Sequence, residues 1–547
     1  MDTSGYPVYY GSPVEAITHF KKATHQADSN RGQCESCGNV NPEQIFSIIE
    51  ARVVDEYGQP TAKRKITPPQ WHQIYEQTIR IPIVEQVNEA PPNSLNLPGR
   101  IKQAVIFGTR DFFVKVSNKQ YILINVLQAP LLAAMLAGVI RYRNTPGGEG
   151  YLFRFNDNFP AFLLMSIIVA LFMGLTVSAE EIIRDRKLLK REALLDLSWN
   201  SYLCSKLSIL FCLSAFQTLT FVIVGNLILD IRGMTFPFWA ILFSVSCFAN
   251  ILGLNISSAF NSAVTVYVII PLLLIPQMIF GGLLFRFEKL NEHIGGKGVV
   301  PIVADLMVSR WAFEAMAVHQ FKENEFQKVF FEYEKAKSTA DFKSSYVANA
   351  LRTKLEYVRE HSEDGADSIR REVERSLAVI RNTLKHEAFK TGIEDLDLDH
   401  LIQTKGLTLS RISSYLDQFE KHYKDVYNRN AVIQEKKMAY YQDKGWDINW
   451  YKNHYHNESL TDLVRNVHTD TRIMEDQDRL VQLIDPIYQD ATADHWFDYR
   501  TPFLASEKSV FGIRVDTVLF NIAVIWLMCL VLYITLYRET LRRLVSR

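Results

Sequence analysis

The apolar residues of this chain are gathered into blocks. Residues 122–140, 161–179, 207–229, 237–256, 263–280 and 518–537 contain no Lys, Arg, Asp or Glu, and each is about the 18 to 20 residues that a helix needs to cross a hydrocarbon layer. A buried core helix could explain any one block, but six uncharged runs of that length point to membrane spans. The expected fold class is mainly α, with a polytopic six-helix membrane domain.

The pattern changes between the fifth and sixth blocks. Residues 287–514 are polar and charged, yet apolar side chains recur at helical spacing: Leu351, Leu355 and Val358; Val373, Leu377, Ile380 and Leu384; Ile412, Leu416, Phe419 and Tyr423. This spacing predicts a large, mostly helical insert, with Gly365, Gly392, Gly406 and Gly445 as breaks. Residues 1–95 are polar and mixed. They read as a strand-like GYPVYYGSP, a helix over 13–27, a turn holding Cys34 and Cys37, a helix over 42–53 and a Pro-rich linker, APPNSLNLP. In residues 96–119, Ile101, Val105, Phe112 and Val116 alternate with basic positions, which predicts an amphipathic helix along the membrane face. The remaining divisions are 120–286 with five spans, 287–514 as the insert, and 515–547 with the sixth span and a basic tail.

Composition adds little. The 547 residues include 60 Lys and Arg against 60 Asp and Glu, and a mean hydropathy of −0.03 would suit a soluble protein. That average conceals the blocks. Nucleic acid is not an expected partner. No apolar run follows a basic segment at the start, so a cleaved signal peptide is not expected. Charge asymmetry orients the spans. Arg184, Arg186, Lys187, Lys190, Arg191 and Lys206 crowd the connection after the second span, whereas Arg232 stands alone after the third. The positive-inside rule then puts both termini in the cytoplasm and 287–514 outside, with Arg141, Arg143 and Arg154 as a mild dissent. The expected location is a cell membrane, as a multi-pass protein of a bacterial inner membrane. The insert contains no cysteine, so no disulfide framework is expected there.

YYGSPVEAITHF resembles the end of the ATP-binding domain in the G subfamily of ABC transporters. GRIKQAVIFGTRDFF resembles that subfamily's connecting helix, the run from Ser246 to Leu290 its fourth and fifth membrane helices, and VSRWAFEAM the segment after its re-entrant turn. The resemblance covers 1–318 and 500–547. It implies the fold of a type-2 exporter, two copies around one pathway with helices two and five nearest the axis, and a lipid or amphipathic cargo. An ATP-binding domain or subunit would hold ATP and magnesium.

The departures are equally informative. No GxxxxGK[ST] loop is present to cradle phosphates, and GGKG at 295–298 lacks both the upstream glycine and the following Ser or Thr. With no signature motif and no strand ending in Asp-Glu, the chain is expected not to be an enzyme by itself. It keeps only the trailing edge of an ATPase, either because that half is a separate chain or because the sequence is a fragment. The insert, longer than the family's usual loop, reads as a substrate gate, a partner dock or a stabilising cap.

Several residues carry candidate chemistry. Cys34 and Cys37 have the spacing of half a zinc site; a reduced structural pair is the alternative. His454 and His456, spaced by two, are read as surface. No nucleophile elbow or HExxH is found. Gln103, Arg110, Glu180, Glu181, Arg184 and Arg191 are candidates for receiving the ATPase stroke, against ordinary headgroup anchoring. Ser246, Asn250, Gly253, Ser257 and Asn261 share one face of the fourth span, with Asn255 opposite. Asparagine in hydrocarbon needs a partner, so this stripe lines a pathway or glues helices together. Phe280, beyond Pro271 and Pro276, is a candidate apolar gate. Two functions follow: the permease half of an ATP-driven exporter, or a non-transporting transmitter or scaffold that couples cytoplasmic ATP hydrolysis to an outer partner.

Overall fold

The computed structural model describes residues 2, 5–27, 42–79, 98–143, 150–192, 197–291, 300–361, 367–391, 407–469, 471–476, 478–491 and 501–545. Cys34, Cys37, the GGKG string and most of the Pro-rich linker lie outside the described residues. The chain forms two units, Met1–Asn96 and Leu97–Arg547.

The first unit holds α1 (Pro13–Ala23), α2 (Pro42–Ile49), the antiparallel hairpin of β1 (Arg52–Val54) and β2 (Pro60–Arg64), and α3 (Pro68–Thr78). Each helix begins on proline, whose missing N–H costs nothing there. Thr67 and Gln70 close a capping box at α3. Val8, Ala16, Phe20, Ile48 and Trp71 form the core, the Phe20 ring meeting Trp71 edge-on at 5.3 Å. The strand-like GYPVYYGSP joins no sheet among the described residues. The unforeseen hairpin turns on Asp55, whose carboxylate accepts from Tyr57 N and Gln59 N, and on Gly58 at φ +79°.

The second unit begins with α4 (Arg100–Ser117), α5 (Lys119–Ile140), α6 (Phe159–Ser178), α7 (Glu181–Glu192), α8 (Trp199–Leu229), α9 (Thr235–Ala259) and α10 (Ala263–Ile279). Next come α11 (Ile302–Asp305), α12 (Val308–Lys322), α13 (Gln327–Asp341), α14 (Ala348–His361), α15 (Asp367–Thr391), α16 (Leu407–Asp443), α17 (Ile448–Tyr455) and α18 (Glu458–Val464). Two antiparallel hairpins follow, β3 (Ile473–Asp476) with β4 (Arg479–Gln482) and β5 (Glu507–Val510) with β6 (Ile513–Asp516), then α19 (Thr517–Tyr537) and α20 (Thr540–Val545).

Among the described residues, five helices, α5, α6, α8, α9 and α19, are long and apolar enough to cross a membrane. The block at 263–280, expected as the fifth of six spans, forms the 17-residue α10 with prolines 271 and 276 inside it. At 1.5 Å per residue α10 is about 26 Å long, short of a hydrocarbon layer of about 30 Å.

Helices α6 and α9 make the centre of the bundle. A Cβ on Gly174 would stand 2.7 Å from Ala249 Cβ, and one on Gly253 only 2.0 Å from Ser178 Oγ, so the two backbones touch through their small residues. Asn255 donates to Leu532 O at 3.0 Å and accepts from Thr535 at 3.0 Å, binding α9 to α19. Gln277 ties α10 to α12 through Ser309 N and Ser309 Oγ. Buried Glu314 on α12 then gathers Lys508 Nζ at 2.6 Å, Leu504 N at 3.0 Å and Asn521 Nδ2 at 3.0 Å, joining the β5–β6 hairpin to α19.

A second core lies between α10 and α19. Leu351, Leu355, Ile380, Leu384, Ile412, Leu416, Phe419 and Tyr423 pack together, at the spacing predicted from sequence. Gly445, at φ +88°, ends α16 in the left-handed region. The β3–β4 and β5–β6 hairpins in this segment were not foreseen, being four residues a strand.

Candidate coupling site

Helix α4 turns its polar side inward. Gln103, Phe107, Asp111 and Lys115, four residues apart, are buried, while Ile101, Val105, Phe112 and Val116 are exposed, Ile101 by 83%. This reverses the pattern of a helix in water and suits one whose apolar side meets lipid.

The inward face meets α7 and the first turns of α8. Lys206 Nζ lies 2.6 Å from Asp111 Oδ1, 2.9 Å from Glu181 Oε2 and 2.8 Å from Asp185 Oδ2. Lys115 Nζ lies 2.6 Å from Asp111 Oδ2 and 3.0 Å from Glu181 Oε2. Arg184 pairs with Glu181 at 3.1 Å, and the Tyr202 hydroxyl donates to Asp185 at 2.9 Å. The carboxylates of Asp111, Glu181 and Asp185 thus face the cations of Lys115, Arg184 and Lys206 one for one, which is what makes so much buried charge tolerable. Burial alone would raise the Asp111 pKa, but Lys115 and Lys206 hold it below the usual carboxylate value. The adjoining cavity, lined by Phe107, Arg110, Asp111, Arg184, Tyr202 and Lys206 among others, measures about 80 Å³. That is room for a few waters and too little for a cargo molecule.

Further contacts brace the same junction. Arg110 pairs with Glu192. Gln103 donates to Pro98 O at 2.8 Å and accepts from Ser198 N at 2.9 Å, while Ser201 donates to Arg100 O at 2.8 Å. The end of α9 holds the start of α7: Ser257 Oγ accepts from Ile182 N at 3.0 Å and Ile183 N at 3.2 Å, and Arg186 donates to Ser258 O and Phe260 O at 2.8 and 2.7 Å.

Of the candidates named from sequence, Gln103, Arg110, Glu181 and Arg184 converge here. Glu180 faces Tyr267 of α10, and Arg191 is exposed on α7. Asp111, Lys115, Asp185 and Tyr202 escaped the sequence reading, as did the paired role of Lys206. The four-residue polar period on α4 was the available signal. The α9 stripe is bonded within the chain: Asn250 is fully buried and donates to Ser214 Oγ at 2.7 Å, and Ser246 donates to the same oxygen at 2.8 Å. Asn261 is exposed beyond the end of α9, and Phe280 is half-buried beyond α10. His456, read as surface, is buried against Phe326, with Nε2 3.2 Å from Thr461 Oγ1.

Residues 102–321 match the family model of ABC-2 type transporters. The matched ABC-2 type membrane domain starts within α4 and ends within α12, so it includes the whole ionic junction and stops short of α13. A domain of this type is the permease component of an ABC transporter and works with an ATP-binding partner. No curated protein matches the sequence.

Proposed function

We propose that this ABC-2 type chain is the membrane half of an ATP-driven exporter in the manner of the G subfamily, moving a lipid or amphipathic small molecule, with ATP and magnesium on a half outside this sequence. The observation that carries the reading is the neutralised junction of Asp111, Lys115, Glu181, Asp185 and Lys206, whose ion pairs join α4, α7 and α8. A stroke delivered to α7 or α4 would then move span helix α8, and α9 through Ser257 and Arg186. Both termini lie in the cytoplasm in this reading, the segment between α10 and α19 lies outside a bacterial inner membrane, and 1–95 is the trailing edge of an ATP-binding domain.

Two copies assemble with α10 near the axis. Its residues Val264, Tyr267, Val268, Leu272 and Ile275 form one exposed face, suited to a copy or to a cargo's apolar part. Phe280 and Asn261 flank that face as pathway candidates. Cys34 and Cys37 would supply two thiolates of a zinc site. The decisive experiment reconstitutes the chain with its ATP-binding half in vesicles and measures vanadate-sensitive ATPase activity with candidate lipids. Asp111→Asn should lower cargo-stimulated turnover several-fold while basal turnover persists; equal stimulation in the variant would overturn the coupling role.

The second reading, a transmitter that carries no cargo, draws support from the buried α9 stripe, where Ser246 and Asn250 donate to Ser214 and Ser257 accepts from Ile182 N of α7. If Asn250→Ala lowers thermal stability and leaves every lipid response unchanged, that reading gains.

A further inference from the structure

The end of α16, the turn at Gly445 and α17 carry an aromatic tip that no part of the transport reading uses. Trp446 stacks on Tyr451 with centroids 4.1 Å apart, Tyr451 on Tyr455 at 5.7 Å, and Trp450 on His454 at 4.5 Å. These rings do not close into a core: Tyr440 is 52% and Trp450 39% exposed. Lys444 Nζ sits 4.6 Å from the centre of the Tyr440 ring. Ile433, one face-repeat before Tyr440, is exposed beside Lys436.

The tip's height relative to the bilayer follows from its contacts. Arg232, in the turn between α8 and α9, lies 5.2 Å from the Trp450 ring. The uncharged run 207–229 that precedes this turn is about 34 Å long at 1.5 Å per residue, close to a full hydrocarbon thickness, and Leu227 at its end is exposed. Arg232 therefore stands at headgroup depth. The connection between α5 and α6 gives the same level independently. Asn457, just after α17, donates to Phe153 O and Asn156 O, both at 2.9 Å, and Arg154 Nε donates to Glu458 at 2.7 Å. Trp and Tyr with neighbouring lysines at this depth are the side chains that a membrane–water interface favours, since ring and polar edge are both satisfied there.

We propose that residues 433–455 form an interfacial anchor that seats Tyr440, Trp450 and their neighbours among the phospholipid headgroups on that side of the membrane, tethering the α13–α18 segment to the bilayer. The anchor is independent of whether cargo is moved. It is tested on the full chain in phosphatidylethanolamine–phosphatidylglycerol vesicles, with Cys34, Cys37, Cys204 and Cys212 replaced by Ser. Nitroxide labels are placed at Tyr440→Cys and Trp450→Cys, and at exposed Lys421→Cys as the aqueous reference. Collision with oxygen relative to a water-soluble nickel chelate should be several-fold higher at 440 and 450 than at 421. A ratio equal to that at 421 would overturn the anchor in favour of an aqueous platform, such as one for carbohydrate. Low collision with both reagents would overturn it in favour of a covering protein surface.

Discussion

At the scale of single residues, the chain buries charge and balances it locally. Lys206 answers to Asp111, Glu181 and Asp185 at once. Lys206→Met should therefore cost about 3–5 kcal/mol, because three carboxylates then face only Lys115 and Arg184, one cation short of balance; thermal unfolding in detergent reads the loss, and a near-wild-type midpoint would refute the balance. His456 makes a different test. Burial, reinforced by Lys452, pushes its pKa down from 6.5 to about 4. The folded state thus holds the neutral ring, so the stability it favours is present above pH 6.5 and drains away as pH falls toward 4. Between pH 7 and pH 5 the loss should be about 2 kcal/mol, and His456→Gln should flatten that slope in thermal melts. Glu181 and Arg184 were legible in the sequence as charges beside a span. Their partners were not: Glu181 meets Lys115 across 66 positions and Lys206 meets Asp111 across 95, and nothing in either local pattern signals the meeting.

At the scale of elements, α6 and α9 show how membrane helices cohere without a hydrophobic driving force between them. Contact of small residues supplies dispersion, and Ser178 keeps its hydroxyl occupied by donating to Gly174 O at 2.7 Å. Gly174→Leu should destabilise the bundle by at least about 1–3 kcal/mol through overpacking, whereas Gly138→Leu, where an added Cβ meets nothing within 4 Å, should be silent. Fluorescence size-exclusion profiles of the two variants make the comparison, and equal profiles would argue against the close approach. The apolar runs predicted α5, α6, α8, α9 and α19 to within a few residues, except that α8 begins at Trp199, inside a stretch read as loop. Its first two turns carry Tyr202 and Lys206, polar residues that a span tolerates only because α4 and α7 cover them.

At the scale of the whole molecule, two outcomes are expected. Purified alone it should neither bind nor hydrolyse ATP, since no phosphate loop is present in 1–547; vanadate-sensitive turnover by this polypeptide, freed of contaminants, would sink that view. If two copies meet along α10, Val268→Cys should crosslink to its own copy in membranes, while Leu519→Cys on α19, also strongly exposed, should not. Crosslinking at 519 with none at 268 would place the axis elsewhere.

Long uncharged runs mark apolar helices without any knowledge of neighbours, because a helix closes its own backbone hydrogen bonds and lipid demands nothing more of it. Helical spacing likewise settles the amphipathic segments between α10 and α19, each helix needing only one apolar side. The tertiary structure alone decides which polar groups meet. Whether Asn250 lines water or bonds to Ser214, whether Lys206 is a surface anchor or the hub of three carboxylates, and whether His456 is wet or sealed each depend on what another element brings into contact. Burial multiplies the energy of such encounters, and their sequence separation hides them.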